Sequence, residues 1–379
     1  MRELRSMRIL HTIYDDPLNP WLGGGGAFRT FEICKRLSGR HEVTIVCGNY
    51  PGTNEQEDRE GLRVIHVGSS LSYPISRLSY SLQASRYVAR ASPDLWVYSF
   101  SAFAPILAAK TRRAGCILEC FHLMREHATK KHAILGHIAA ATERATLNAY
   151  DHIISISPSV SYEISILRGK SDGLHLVYTG VDASCFIDDP VEEDYILYFG
   201  RLDTYTKGLD LLFEAYSRMG SAVADVRLVV AGRGTPERLT ELENLAREQG
   251  ISDRVTFTGP VDTDTKTSLF RGSLFNVAPS RYEGWCIAAI EASAAGKAVV
   301  GTRIPGLRDA VKHEETGLLV ESGDVGGIAD AMRSLIVDQD LRRKLGSQGR
   351  IWAEQFTWDK IAAAQEQVYL DVVDGRIVE

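Results

Sequence analysis

Residues 8–48 read RILHTIYDDPLNPWLGGGGAFRTFEICKRLSGRHEVTIVCG. An apolar run at Arg8–Tyr14, a glycine-rich loop, an amphipathic stretch at Ala27–Leu37 and a second apolar run at Glu42–Cys47 follow one another. Short Val- and Ile-rich runs without polar alternation are the pattern of strands buried on both faces. A helix-length segment between two of them makes a βαβ unit with parallel strands. The alternation continues through Leu62–Val67, Leu95–Ser99, Cys116–Phe121 and Ile153–Ile156. A loose acidic stretch, IDDPVEED at 187–194, reads as a linker. Beyond it the series restarts with Tyr195–Gly200, Leu228–Gly232, Val255–Thr258, Phe275–Ala278 and Ala298–Gly301.

The fold class is therefore α/β, with two doubly wound Rossmann-like domains in tandem, expected over 1–183 and 184–357. The segment Trp358–Val373 has apolar residues at helical spacing and is expected to pack back on the first domain. Such sheets bind ligands beyond the carboxyl ends of their strands, so two of them facing one another create a cleft.

The size of the chain agrees, since 379 residues exceed what one core normally holds. With 44% hydrophobic and 24% charged residues, a disordered or fibrous chain is excluded. The longest weakly polar stretch, Leu95–Ala109, contains serines and Pro105 and falls short of the roughly 18–20 residues of a spanning helix. The N-terminal MRELRSMRIL has no signal-peptide core, so a cytoplasmic protein is expected, and Met7 is an alternative start. Six scattered cysteines (34, 47, 116, 120, 185 and 286) show neither C-x-x-C nor zinc spacing, so no metal or disulfide is expected.

Charge divides unevenly. Residues 1–180 carry 21 lysines and arginines against 16 acids, a net +5, whereas the remainder carries 22 against 33, a net −11. A basic front half suits an anionic membrane surface, at the inner face of the membrane, or a charged acceptor; uneven surface composition is the plainer explanation. No RNA- or DNA-reading motif accompanies it, so no nucleic-acid partner is expected.

Three stretches carry candidate chemistry. Gly23 to Gly26 precede a helix, where backbone N–H groups can approach an anion, although a flexible loop has the same composition. Gly200-Arg201-Leu202-Asp203, followed by Lys207-Gly208, puts two cations and a helix start at a strand's carboxyl end, which can hold a diphosphate without a metal. Surface charge is the alternative. Pro279-Ser280-Arg281-Tyr282-Glu283-Gly284-Trp285-Cys286 runs into a helix bearing Glu291 among small apolar residues. Glu283 falls in the loop. Glu291 lies about one turn inside the helix, beyond N–H groups of Trp285 to Ile287 that suit an anion, and needs a partner if buried.

Glu283 and Glu291, eight positions apart in E-G-W-C-x-x-x-x-E-A, resemble the E-x7-E signature of glycosyltransferase family 4, the retaining GT-B enzymes. Five further stretches resemble that family in order. They are Gly25-Gly26 with the following helix and HEVTIV, Tyr178-Thr179-Gly180-Val181-Asp182, Arg201 with Lys207, Pro305-Gly306-Leu307-Arg308-Asp309 and Thr316-Gly317-Leu318-Leu319-Val320, the last two resembling its C-terminal loops.

The resemblance implies a retaining hexosyltransferase that uses a nucleotide diphosphate sugar, with no cofactor and no metal. A UDP-sugar is favoured and GDP-mannose is next; the acceptor would be a glycan, a glycolipid or lipid-linked acceptor, or a small molecule, bound by the first domain. By position, Glu283 with the amides of Gly284, Trp285, Cys286 and Ile287 would hold the donor hexose and its phosphate. Glu291 would bind the ribose, Arg201 and Lys207 the departing diphosphate, and Gly25 and Gly26 would close over it. His122 lies where the family places its active-site histidine. Leu123 replaces the aspartate common after that histidine, Cys286 stands where glycine is common, and Tyr178-Thr179 replaces P-N; these departures bear on donor and acceptor fit.

Two patterns invite metal readings. Asp262-Thr263-Asp264 resembles a D-x-D site, but after Gly259-Pro260 and before a helix it reads as an N-cap. Histidines 122, 127, 132 and 137 recur every five residues, which on a helix points them to different faces, so only His122 has a functional case. A buried structural histidine is the alternative for it. The rival functions are a nucleotide-sugar 2-epimerase on the same fold and a non-catalytic sugar-nucleotide-binding protein. A nicotinamide oxidoreductase is more distant, because neither domain's first turn carries the dinucleotide fingerprint.

Overall fold

The structure is a computed structural model that describes residues 6–21, 23–101, 104–106, 115–123, 133–189, 191–220 and 225–375. The chain divides into two compact units, Met1–Thr179 with Trp358–Glu379, and Gly180–Thr357.

The first unit holds β1 (Arg8–Thr12), β2 (Glu42–Gly48), β3 (Gln56–Arg59), β4 (Leu62–Val67), β5 (Leu95–Ser99), β6 (Gly115–Cys120), β7 (His152–Ser155) and β8 (Leu174–Leu176). Their order is β3-β4-β2-β1-β5-β6-β7-β8. All neighbours are parallel except β3, which runs antiparallel along the edge of β4. One face of this sheet is covered by the helices Tyr73–Arg90, through Tyr80, Ala84 and Val88, and Pro158–Arg168, through Val160 and Ile164.

The helix Gly25–Leu37 packs instead against Trp358–Val373, with Phe28 edge-on to Trp358 and Arg36 bonded to Asp359 at 2.7 Å. A buried polar network fastens that pair to the strands. Arg29 bonds Glu119 and, at 2.7 Å, Gln365, while Glu119 also accepts from Ser99 at 2.8 Å. Burial alone would raise the Glu119 carboxyl, but the Arg29 charge with His11 and Ser99 holds it well below the usual range.

The second unit holds β9 (Tyr195–Phe199), β10 (Arg227–Ala231), β11 (Val255–Gly259), β12 (Asn276–Ala278), β13 (Val299–Thr302) and β14 (Gly317–Val320). They form a wholly parallel sheet of order β11-β10-β9-β12-β13-β14. Leu212 and Phe213 from the helix Leu209–Arg218 meet Ile328 and Met332 from Val325–Val337 in its core.

Three strands are absent from the sequence reading. β3 is entirely polar (QEDR), because an edge strand needs no buried face. β8 is only three residues long. The segment 317–320, read as part of a loop, is a strand paired with β13. The acidic stretch is no linker either. The units part at Thr179/Gly180, and residues around 187–194 dock on the second unit: Arg342 grips Glu192 at 2.7 and 3.1 Å, and Arg350 binds Asp188 at 2.8 Å. Three of its acids, Asp188, Asp189 and Glu192, meet arginines of the second unit.

Candidate functional site

In the second sheet, β9 and β12 are neighbours from which the strand order proceeds in opposite directions. That is the switch point at which open α/β sheets leave a crevice for ligands. Two loops leave it, 200–208 after β9 and 279–286 after β12.

The loops are tied to each other. The Arg281 N–H donates to the Thr206 carbonyl at 2.9 Å, and its guanidinium reaches the Tyr205 carbonyl at 2.8 Å. The same guanidinium holds Asp210 bidentately, with both contacts at 2.7 Å, and lies over the Tyr205 ring. Across the clamped loops, Lys207 Nζ donates to Glu283 Oε1 at 2.5 Å, and Ser280 Oγ donates to the same oxygen at 2.9 Å. Burial works against the Lys207 ammonium, yet the Glu283 carboxylate outweighs it, so Lys207 titrates above the ordinary lysine value. Arg201 projects from the carboxyl end of β9 with half its side chain exposed, and its nearest ionic partner, Asp203, is 3.9 Å away. Behind Glu283 runs the loop of Gly306. With φ at +78°, that glycine lies so close that a Cβ would come within 2.4 Å of the Glu283 carbonyl oxygen.

The helix Ile287–Ala294 (IAAIEASA) starts here, on alanine-rich sequence of good helix propensity. Its cap, Cys286, makes no side-chain cap bond, so the cap residue itself leaves the anion-attracting N–H groups unbonded by its side chain. Burial pushes the Cys286 thiol up to about 12, which removes it as a nucleophile at neutral pH. Glu291 is buried, and its partner is Lys266, whose Nζ donates to Oε1 at 2.7 Å. Lys266 is also held above the usual lysine value, because Glu291 outweighs its burial.

The second unit thus brings Lys207 and Glu283 together. It places Gly284, Trp285, Cys286, Ile287 and Glu291 along the adjoining loop and helix, and Arg201 in the loop that leaves β9. Trp285 is buried and packs edge-on against Phe356. In the first unit, the helix starts at Gly25, and Gly26 sits against Phe121, where a Cβ would lie 2.6 Å from the ring. His122 follows Phe121 beyond β6 and is exposed, which disposes of a buried structural role.

Sequence reasoning missed Lys266, Ser280 and the Arg281–Asp210 clamp. Lys266 stands two residues after the D-T-D that drew attention to its acids. Asp262 is the N-cap of the helix Thr263–Gly272, accepting from Thr265 N–H at 2.8 Å. Of the spaced histidines, 127 and 132 lie outside the described residues and His137 is exposed. Among the described residues, Asp16, Glu57 and His66 approach one another as metal ligands could, but Arg59 bonds Asp16 through both terminal nitrogens at 3.0 and 3.2 Å. A guanidinium already supplies the positive charge there.

Residues 23–184 match the model of Glycosyltransferase Family 4, and residues 187–352 that of glycosyl transferases group 1. A glycogen synthase of Mycobacterium tuberculosis is 30% identical over 97% of this chain and 96% of its own. A GDP-mannose-dependent alpha-(1-6)-phosphatidylinositol monomannoside mannosyltransferase of the same organism is 28% identical over 88% and 91%. A D-inositol 3-phosphate glycosyltransferase of Xylanimonas cellulosilytica is 30% identical, the match spanning 62% of this chain and 60% of that one. Among solved structures, the sucrose-phosphate synthase of Thermosynechococcus elongatus shares the fold, with a TM-score of 0.83 at 23% identity over 97% and 99% of the two chains. With both halves matched in order and a full-length relative at that identity, the chain belongs to glycosyltransferase family 4, enzymes of the GT-B fold that use nucleotide-sugar donors.

Proposed function

We propose that the protein is a retaining hexosyltransferase that takes its sugar from a nucleoside diphosphate sugar without a metal ion. The observation that carries this reading is the Lys207–Glu283 pair, pinned at the switch point between β9 and β12 beside an uncapped helix start. In this reading Arg201 and Lys207 bind the diphosphate, whose charge grows as the sugar departs. A prepared cation is worth most there, because it stabilises the transition state more than the bound donor. Glu283 orients the hexose, the amides from Gly284 to Ile287 receive the phosphate, and Glu291 binds the ribose. Gly25, Gly26 and His122 serve the reaction from the first unit. Retention fits a site in which the leaving phosphate helps to deprotonate the acceptor on the same face.

The sequence favoured a UDP-sugar. The mannosyltransferase relative, matched over most of both chains, makes GDP-mannose an equal first choice. Two relatives are named for inositol phosphate or phosphatidylinositol acceptors, which supports an acceptor carrying phosphate, free or lipid-linked, at the inner face of a membrane. A nucleotide-release assay with GDP-mannose and UDP-sugars, with and without phosphoinositol acceptors, tests the reading. Acceptor-dependent release of nucleoside diphosphate is expected. Release of a free sugar product without acceptor would favour the epimerase, and no turnover with any donor would refute the transferase.

A further inference from the structure

On the helix Tyr73–Arg90 the buried positions are Ser76, Tyr80, Ser81, Ala84 and Val88, a stripe that seals the sheet. The opposite stripe should be polar on a helix facing water. It is not. Leu71, just ahead of the helix, is 83% exposed, followed by Ile75 at 50%, Leu78 at 70% and Leu82 at 50%. Spacings of four, three and four put these side chains on one line along the helix. One turn further along that line comes Arg86, then Arg90, both exposed, and no acid occurs anywhere in the helix. An apolar stripe running into arginines, on a helix with no acid to oppose them, complements a surface that is apolar within and anionic outside.

Three further observations favour a lipid occupant. The helix Pro158–Arg168 covers the same sheet face and exposes Tyr162 (66%) and Ile166 (58%). The sequence from 71 to 132 carries nine lysines and arginines against three acids, so the basic excess of the front half falls in the stretch of sequence that opens with this helix. No described helix is long and apolar enough to cross a membrane, so contact would be in the plane of the surface.

We infer that the face formed by Leu71, Ile75, Leu78, Leu82, Arg86 and Arg90 docks the first unit on an anionic phospholipid surface. The orientation has a consequence. The apolar end is the helix's start, and that start lies at the carboxyl end of the sheet. Arg77 reaches Ser101, just after β5, at 3.0 Å, and Tyr73 packs edge-on to Tyr14, just after β1. Docking would therefore bring the ligand-binding edge of this unit to the lipid. The inference deepens the reading of a lipid-linked acceptor and rests on it for its purpose, but the binding itself does not require turnover.

Flotation of the full chain with vesicles of phosphatidylcholine alone, or with about a third phosphatidylglycerol, tests it. Binding to the anionic vesicles is expected, weakened by salt and weak on neutral ones. Leu78→Glu with Leu82→Glu, and separately Arg86→Glu with Arg90→Glu, should each reduce binding about tenfold or more, with unchanged melting temperature and unchanged nucleoside diphosphate affinity. Both pairs are exposed, so the fold does not depend on them. Two outcomes would overturn the inference: vesicle binding that survives both double substitutions, or a wild-type chain that ignores vesicles and self-associates through Leu78 and Leu82, as sizing would reveal. Donor turnover in solution separates failure of this inference from failure of the transferase reading.

Discussion

Lys266 Nζ lies 2.7 Å from Glu291 Oε1, so the buried glutamate of the E-x7-E pair already has a cation before any nucleotide arrives. A ribose bound by Glu291 would join an existing ion pair. Glu291→Gln therefore removes two things, a charged acceptor for the ribose and the counter-charge of a largely buried ammonium. We expect weaker binding of both donor and bare nucleoside diphosphate, by roughly ten- to a hundredfold. Glu283→Gln should spare the bare nucleotide while lowering turnover, because hexose contacts exist only with the donor. Calorimetry with the nucleoside diphosphate on both variants decides it, and equal losses would mean the two roles are misassigned.

The diphosphate pair makes a second test. Alanine at Arg201 or Lys207 should lower kcat/KM by on the order of 10²–10³. The two should differ in stability. Arg201 is half exposed, so its loss is expected to leave the melting temperature nearly unchanged. Lys207→Ala leaves Glu283, only 9% exposed, with Ser280 alone, and should cost about 1–3 kcal/mol. Normal turnover in either variant would sink the assignment, and calorimetric melts check the contrast.

How much of this was legible beforehand divides along physical lines. Both sheets announce themselves in runs such as RILHT and YILYF, because a parallel strand buried on both faces must be apolar throughout. The polar edge β3 carries no such signal. Arg201, Lys207, Glu283 and Glu291 were singled out from loops that follow strands and from the spacing of the two glutamates, and of these the fold brings Lys207 and Glu283 into contact. Lys266 and Arg281 were not singled out. Their partners, Glu291 and Asp210, are 25 and 71 residues away in the chain, and only the fold brings such pairs together. The acidic 187–194 stretch misled for the same reason, since its arginines lie some 150 residues on.

Activity is expected to persist in excess EDTA, since Arg201, Lys207 and the helix start offer positive charge from the chain itself. Asp262 caps its own helix, so Asp262→Ala should lower the melting temperature slightly and leave initial rates close to wild type. Loss of activity in chelator with rescue by magnesium or manganese would overturn the metal-free reading.

Lys297 supplies a pH test away from the site. Its Nζ donates to the Val191 carbonyl at 3.0 Å in a buried setting, and burial pulls its pKa from 10.5 to about 8. A depressed lysine binds its proton more weakly in the folded chain than in the unfolded one. Its penalty is thus fully present below pH 8, and stability rises as the pH climbs from about 8 towards 10.5. Relative to Lys297→Met, which cannot titrate, the wild-type chain should gain thermal stability between pH 7 and pH 9.5. A constant difference across that range would show that burial does not depress the lysine's pKa.

The clamp on the two loops yields the last prediction. Arg281 is not placed to touch the donor; its fork is occupied by Asp210 and the Tyr205 carbonyl. Its effect would be to fix where Lys207 stands relative to Glu283, which makes it a positioning residue. Arg281→Ala removes that arginine's side-chain ties to the Tyr205 carbonyl and Asp210, leaving the loops 200–208 and 279–286 joined by the backbone bond from Arg281 to Thr206 and by the Lys207–Glu283 pair itself. Turnover should fall about tenfold or more, while affinity for the bare nucleoside diphosphate falls less, because a bound diphosphate can reorganise Lys207 around itself but a transition state needs it already in place. Arg281→Lys keeps the charge and loses the two-pronged geometry, so it should recover only part of kcat. A variant that loses melting temperature but keeps kcat would show that the clamp serves folding alone, and full rescue by lysine would show that charge rather than geometry matters.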